Sequence, residues 1–122
     1  MSKTILTVDD SGSIRQMIKM TLSGAGYSVV EAVDGVDGYA KATSMSLAAI
    51  VTDLNMPRMN GIEFIKKYRQ HPSSRGVPII FLTTESDESL KQQARAAGAT
   101  GWIVKPFKQE QLLAVIKKVA NA

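Results

Sequence analysis

The sequence predicts an α/β protein with a doubly wound, five-stranded parallel sheet and five helices. Short apolar runs alternate five times with segments that repeat apolar residues at helical spacing. Three of the runs are apolar on both faces, which is typical of parallel strands covered by helices on two sides. Carboxylate, hydroxyl or ammonium side chains follow four of the runs, where ligands bind in such folds.

The five predicted strands are short and rich in apolar or β-branched residues. They span residues 4–8, 27–32, 47–52, 78–83 and 101–104. The first, third and fourth are the runs that are apolar on both faces, so we expect helices on both sides of the sheet. Consecutive βα units of this kind wind with a right-handed crossover.

The five predicted helices share apolar positions three and four residues apart. They span residues 13–23, 35–44, 61–70, 85–97 and 108–120. Ser13 and Gln16 have the spacing of a capping box for the first helix, and Gly24 and Gly26 end it. Acidic residues from Glu85 onward suit the positive end of the fourth helix.

Composition predicts one domain over residues 1–122, without an output domain. The 122 residues are 44% hydrophobic, which is enough for a single core. No apolar run approaches the roughly 20 residues that span a bilayer, and no signal peptide precedes the first strand. The absence of cysteine excludes disulfides and thiolate metal sites. We therefore expect a cytoplasmic protein without a membrane partner.

The net charge is +4, from 15 Lys and Arg against 11 Asp and Glu. A basic balance can indicate nucleic-acid binding. Here the basic residues are scattered, and no helix carries a dense Lys/Arg run with interleaved aromatics. We expect no nucleic-acid partner; a mild positive field would favour encounter with an acidic protein.

Three carboxylates lie at the carboxyl ends of predicted strands. Asp9 and Asp10 come after the first strand, and Asp53 comes after the third. Crowded carboxylates resist ionising together unless a cation intervenes. A sulfur-free set of oxygens suits Mg²⁺, and the backbone carbonyl of Asn55 could add another ligand. The sequence therefore predicts a magnesium site, for which Mn²⁺ is the alternative ion.

The same edge of the sheet could perform phosphoryl transfer. An Asp53 oxygen could attack a phosphorus atom in line, and the Lys105 ammonium would share the charge on the transferred oxygens. The Thr83 hydroxyl could donate to a phosphoryl oxygen. Each residue alone has an ordinary structural role, such as a helix cap or a loop. Their occurrence together at the ends of the matching strands favours the functional interpretation.

The chain resembles the receiver domain of two-component response regulators over its full length. The resemblance is carried by Asp9-Asp10-Ser11, the loop from Asp53 to Gly61, Thr83-Thr84 and Lys105-Pro106-Phe107. It implies a flavodoxin-like fold with strand order 2-1-3-4-5. It also implies that Asp53 is the phosphoacceptor for a histidine kinase, that Lys105 contacts the phosphoryl group, and that the Lys105–Pro106 bond is cis.

The resemblance further implies a metal set and a switch. Asp10 and Asp53 would bind Mg²⁺ through their side chains, Asn55 through its carbonyl, and Asp9 largely through water. Thr83 would be the hydroxyl of the switch. Trp102 takes the place of an aromatic residue that swings inward on activation, through a shift between two existing states.

Within this family the chain looks most like the stand-alone chemotaxis regulators. Asn55 and Glu85 would flank the water that removes the phosphoryl group, so they would tune the lifetime of the signal. The face formed by helix 4, strand 5 and helix 5 would bind the flagellar motor switch. We expect a monomer, with a phosphatase as a possible additional partner. It would be no enzyme in the usual sense, because the product of its self-phosphorylation and self-dephosphorylation is its own modified state.

Other functions stay open at this point. A phosphorelay shuttle or phosphate sink would keep the chemistry and change only the partner. A phosphatase with an aspartate nucleophile would need a second acid where Asn55 stands, and no cap insertion is present. A dinucleotide or flavin binder would need a Gly-x-Gly-x-x-Gly loop after the first strand, which this chain lacks.

Overall fold

The computed structural model describes residues 3–56, 58–84 and 88–120. Within these residues the chain alternates strands and helices. The elements are β1 (Thr4–Val8), α1 (Gly12–Ser23), β2 (Ser28–Ala32), α2 (Gly35–Ala42), β3 (Ala49–Asp53), α3 (Gly61–Arg69), a 3₁₀ turn (Pro72–Ser74), β4 (Ile79–Thr83), α4 (Glu88–Ala97), β5 (Gly101–Val104) and α5 (Gln109–Ala120).

The five strands form one sheet in the order β2-β1-β3-β4-β5, and every neighbouring pair is parallel. The predicted fold class and strand order are therefore confirmed. The chain moves from β1 outward to β2, then returns past β1 to β3, so the winding direction changes between β1 and β3. The carboxyl ends of these two strands meet at the switch point, where such sheets bind ligands.

Two hydrophobic clusters cover the two faces of the sheet. One contains side chains of α2, α3 and α4, and its largest buried members are Phe64, Tyr68 and Phe81. The other contains side chains of α1 and α5, including Ile18 and Ile116. Because successive strand residues point to opposite faces, the residue that ends each strand is directed toward one helix layer or the other.

The start of α1 differs from the prediction. The helix begins at Gly12, and its N-cap is Ser11, whose Oγ accepts a hydrogen bond from Ile14 N at 3.3 Å. The predicted capping box at Ser13 and Gln16 is wrong, because Ser11 already has the extended backbone of an N-cap where the chain leaves β1. Ser13 Oγ instead lies 3.1 Å from Ser11 Oγ. The predicted end is confirmed, with Gly24 as the C-cap.

The end of β3 also differs from the prediction, in a way that affects the site. The strand runs from Ala49 to Asp53, and Asp53 pairs with Leu82 of β4. Asp53 is therefore the last strand residue and not the first loop residue. Its backbone is held by the sheet, which restricts where its carboxylate can lie.

Helix α3 has a capping box that the sequence analysis did not identify. Asn60 Oδ1 accepts from Glu63 N at 2.9 Å, and Glu63 Oε1 accepts from Asn60 N at 3.0 Å. This pair fixes the end of the loop that follows Asp53. The predicted start of the fourth helix at Glu85 lies outside the described residues. Among the described residues, no helix combines the length and hydrophobicity that a bilayer-spanning segment requires.

Candidate metal and phosphoryl site

Three carboxylates meet at the carboxyl edge of the sheet. Asp9, Asp10 and Asp53 each offer one oxygen, and these oxygens all lie within 4.8 Å of one another. Asp9 follows β1 and Asp53 ends the neighbouring β3, so adjacent parallel strands bring them together. Asp9 and Asp53 are buried, whereas Asp10 is exposed. The site is thus open to solvent on the Asp10 side.

Lys105 contacts two of these carboxylates. Its Nζ lies 2.9 Å from Asp53 Oδ1 and 3.5 Å from Asp9 Oδ2. Lys105 follows β5, and its backbone N donates to the carbonyl of Thr83 at 2.7 Å. The Lys105–Pro106 peptide bond is cis. One ammonium thus faces three carboxylates, and the ionised cluster keeps an excess of negative charge.

The surroundings of the Asp9 carboxyl test whether the cluster suits a metal ion. Burial, together with the nearby Asp53 charge, raises the pKa of Asp9, although a hydrogen bond from Ser11 N lowers it. Asp9 Oδ1 accepts that bond at 2.9 Å. Asp9 Oδ2 is buried without a hydrogen bond, and Lys105 is its ionic neighbour. An acceptor of this kind beside two further carboxylates fits a hard divalent cation with oxygen ligands.

Arg15 of α1 supports the position of Asp9, although the sequence analysis gave it no role. Its Nη1 donates to the Asp9 carbonyl at 2.6 Å, and its Nε donates to Glu31 Oε1 at 3.2 Å. The guanidinium therefore joins the end of β1 to β2. Its position six residues after Asp9 on a helix facing β2 carries no recognisable motif.

The loop after Asp53 returns closely to the strand. Gly61 N donates to the carbonyl of Leu54 at 2.9 Å. A Cβ at Gly61 would lie 2.1 Å from the carbonyl oxygen of Asp53, so a side chain at this position requires the backbone to move. Asn55 is exposed within this loop, and its role as a carbonyl ligand stays a prediction.

Thr83 and Trp102 lie in β4 and β5, the two strands that follow β3 across the sheet. Thr83 ends β4, is 2% exposed, and continues the face of Phe81. Trp102 pairs with Phe81 across β4 and β5 and is half-buried against the α3 and α4 layer. Thr83 thus ends the strand that supports Trp102. Glu85, predicted to tune dephosphorylation, lies outside the described residues.

Two cations of α4 flank Trp102, and the sequence analysis did not anticipate them. Lys91 Nζ and Arg95 Cζ each lie 5.0 Å from the centroid of an indole ring of Trp102. Cations at this distance are attracted by the π face. The four-residue spacing of Lys91 and Arg95 places both on one helix face, but their meeting with Trp102 depends on how α4 packs on β5.

Comparison with known proteins identifies similar sequences. A family model described as "Response regulator receiver domain" matches residues 5–117. The chemotaxis protein CheY1 of Helicobacter pylori is 41% identical over 110 residues, which are 88% of this chain and 89% of that protein. The likeness therefore extends over most of both sequences.

Solved structures share the fold. The chemotaxis response regulator CheY4 of Vibrio cholerae has a TM-score of 0.93 at 46% identity, covering 98% of this chain and 99% of that one. The receiver domain of a sensor histidine kinase from Pseudomonas aeruginosa PAO1 has a TM-score of 0.92 at 26% identity, covering 100% of both chains. In that structure a magnesium ion is coordinated in the active site cleft.

Proposed function

Because this chain belongs to the response regulator receiver family, we propose that it is a Mg²⁺-dependent switch that accepts a phosphoryl group on Asp53 from a histidine kinase. The observation that carries this proposal is the convergence of Asp9, Asp10 and Asp53 at one edge of the sheet, with Lys105 Nζ 2.9 Å from Asp53. This arrangement supplies a nucleophile, a cation site and a fixed ammonium together.

The metal would be held by Asp10 and Asp53 through their side chains, by the Asn55 carbonyl, and by Asp9 through water. When bound, Mg²⁺ supplies positive charge to the carboxylates and to the transferred oxygens. The buried Asp9 Oδ2 without a hydrogen bond supports this assignment. Mn²⁺ has the same preference for oxygen ligands and is the alternative ion.

Asp53 performs the transfer step. One carboxylate oxygen forms a new bond to phosphorus while the bond between phosphorus and the phosphohistidine nitrogen breaks. The electron pair of the broken bond stays on the imidazole. Lys105, already beside Asp53, stabilises the charge on the phosphoryl oxygens. Water later cleaves the acyl phosphate, and Asn55, which is exposed in the loop after Asp53, would tune that step.

Thr83 and Trp102 would transmit phosphorylation of Asp53 to the face formed by α4, β5 and α5. The Thr83 hydroxyl would donate to a phosphoryl oxygen, which moves the end of β4 toward the site. Trp102 is half-buried between β5 and α4, so a shift of this strand end changes how the ring packs. The phosphoryl group would select one of two existing states of the face formed by α4, β5 and α5.

The flagellar motor switch is the target that we propose for this face. Support comes from relatives named as chemotaxis proteins, including CheY1 of H. pylori. A phosphorelay shuttle or phosphate sink is the second candidate. It is favoured by the similarity to a receiver domain of a sensor histidine kinase. In either case the partners are proteins, and the chain acts as a cytoplasmic monomer.

The test of the chemistry is intact mass after incubation with acetyl phosphate, with Mg²⁺ or with EDTA, beside Asp53→Asn. We expect a single phosphoryl gain that needs Mg²⁺ and is lost in the variant. Absence of the gain would overturn the proposal. Capture of a flagellar switch protein only by the phosphorylated chain supports motor output, whereas equal capture in both states favours the shuttle.

A further inference from the structure

The loop between β3 and α3 contains a backbone conformation that residues with a Cβ rarely adopt. Arg58 has a φ of 68°, and among the described residues it is the one non-glycine with positive φ. Such conformations persist where surrounding contacts hold them, and they are concentrated at functional sites. Arg58 lies three residues after Asn55, in the loop that follows the phosphoacceptor.

An ion pair joins Arg58 to Asp34, the N-cap residue of α2. Arg58 Nε lies 2.9 Å from Asp34 Oδ2, and its Nη2 contacts the same oxygen. Asp34 is 2% exposed and caps α2, with Oδ1 accepting from Asp37 N at 2.8 Å. Each Asp34 oxygen therefore has its own partner. The hydrogen bonds from Asp37 N and from Arg58 lower the pKa of Asp34.

A second contact joins the same loop to α2. A Cβ at Gly35 would lie 2.6 Å from the carbonyl oxygen of Met59, so these backbones touch. At its base the loop is closed by the hydrogen bond from Gly61 N to the Leu54 carbonyl. Asn55 thus lies between a backbone hydrogen bond at Leu54 and the contacts of Arg58 and Met59 with the start of α2.

We propose that the Arg58–Asp34 ion pair is a latch that positions residues 54–56 of the loop after β3, holds the Asn55 carbonyl at the metal site and thereby strengthens Mg²⁺ binding. The inference rests on the proposed function, since it concerns the same metal. Arg58 is a positioning residue and touches neither phosphorus nor metal. Its side chain is 63% exposed, so substitution removes little packing and acts mainly through the loop.

The direction in which Mg²⁺ affinity changes when Arg58 is replaced distinguishes the latch from a simple charge effect. Arg58 is a cation in the loop beside a cation site, so removing its charge would, by Coulomb repulsion alone, strengthen Mg²⁺ binding. Loss of the latch should instead weaken Mg²⁺ binding, because a mobile Asn55 carbonyl must be ordered when the metal binds. A weaker affinity after removal of a positive charge therefore indicates positioning.

The experiment is calorimetric titration of Mg²⁺ into the wild type, Arg58→Ala, Arg58→Gly and Arg58→Lys. We expect the Kd of the alanine and glycine variants to rise about tenfold, in the range seen when a residue that supports a metal ligand is removed. The glycine variant removes the backbone strain together with the ion pair. The lysine variant keeps the positive charge, so it should recover part of the Mg²⁺ affinity. Amide hydrogen exchange of residues 54–56 and 58–60 should accelerate in the first two variants only.

Arg75→Ala is the matched control, because Arg75 is exposed and lies in the loop before β4, at the opposite end of the strands. Its Kd should stay near that of the wild type. Unchanged or tighter Mg²⁺ binding in Arg58→Ala, beside normal binding in the wild type, would overturn the latch and leave the proposed function intact. No Mg²⁺ binding by the wild type would overturn the proposed function and the latch with it.

Discussion

Lys105 Nζ lies 2.9 Å from Asp53 Oδ1, which joins the residue after β5 to the last residue of β3. Strand β4 separates these two strands in the sheet, so the contact crosses over the end of β4, where Thr83 stands. The pair thus lies beside the proposed phosphoacceptor, the proposed switch hydroxyl and the strand that carries Trp102. Its consequences can be tested one residue at a time.

Lys105→Met should slow phosphorylation of Asp53 about 100-fold, because a fixed donor to the transferred oxygens is lost. The rate of phosphoryl gain from acetyl phosphate, followed by intact mass with Mg²⁺ present, measures this. Lys108→Met is the control, because Lys108 also follows β5 in the chain and is exposed. An equal rate in the wild type and Lys105→Met would contradict the role of the ammonium.

Asp9→Asn should stabilise the metal-free protein, because the substitution removes a buried negative charge beside Asp53. In EDTA the variant should melt at a higher temperature than the wild type. Addition of Mg²⁺ should raise the Tm of the wild type more than that of the variant, since ligands stabilise the state that binds them. Thermal unfolding with and without Mg²⁺ tests both statements, and a lower Tm of the variant in EDTA would contradict them.

Asp34→Asn should show a pH-dependent loss of stability. The pKa of Asp34 is lowered from 3.8 in the folded protein. Ionised Asp34 therefore stabilises the fold above the unfolded pKa, and this contribution is lost as pH falls through the folded pKa. The variant should be less stable than the wild type by about 1 kcal/mol at neutral pH.

Urea unfolding between pH 2 and 7 measures this difference, which should shrink below the unfolded value of 3.8. Asparagine is itself a favourable N-cap residue. The loss of stability in Asp34→Asn therefore reports the missing charge and not a missing cap. Glu110→Gln, exposed in the first turn of α5, is the control. A difference that is the same at every pH would refute the assignment to ionised Asp34.

Gly61→Ala should destabilise the protein by about 2 kcal/mol, because inserted atoms in a tight site force the backbone to shift. The new Cβ would lie 2.1 Å from the Asp53 carbonyl oxygen. Gly101→Ala is a matched control, since its Cβ would meet Ile80 Cδ1 at an ordinary 3.6 Å. Urea unfolding of both variants provides the comparison, and equal effects would argue against the close approach at Gly61.

Thr83→Ala should separate phosphorylation from output. The variant should still gain a phosphoryl group on Asp53, because the nucleophile, Lys105 and the metal ligands are unchanged. The change in Trp102 fluorescence on phosphorylation should be lost, since the hydroxyl that moves β4 is absent. Thr84→Ala, exposed one residue further on, should keep both responses. A normal fluorescence change in Thr83→Ala would exclude this hydroxyl as the switch.

Several parts of the site were predictable because they depend on local patterns. Apolar runs that end in Asp9, Asp53, Thr83 and Lys105 mark the carboxyl ends of strands, and parallel strands bring such ends to one edge. The structure places the charged members of this set within contact of one another. The residue types and their order in the chain were enough to predict that grouping.

The start of α1 could not be predicted with the same certainty. Ser11 and Ser13 are chemically alike, and both can cap a helix. Which of them does so depends on where β1 ends and on the turn that Asp9 Oδ1 makes by accepting a hydrogen bond from Ser11 N. The pattern of side chains is the same for either start, so it does not distinguish them.

The contact between Arg58 and Asp34 had no signal in the sequence, because no pattern of strand ends or helix periodicity brings these two loop residues together. The same holds for Lys91 and Arg95 around Trp102, which depend on how α4 lies against β5. Hydrophobic periodicity is a property of each segment, set by the geometry of its own backbone, and it can be read along the chain. Contacts between side chains of different elements depend on the direction and register of those elements, which packing of the whole core establishes. The chain alone therefore predicts the fold class and the chemistry at the strand ends, whereas the latch on the loop and the surroundings of Trp102 arise from tertiary packing.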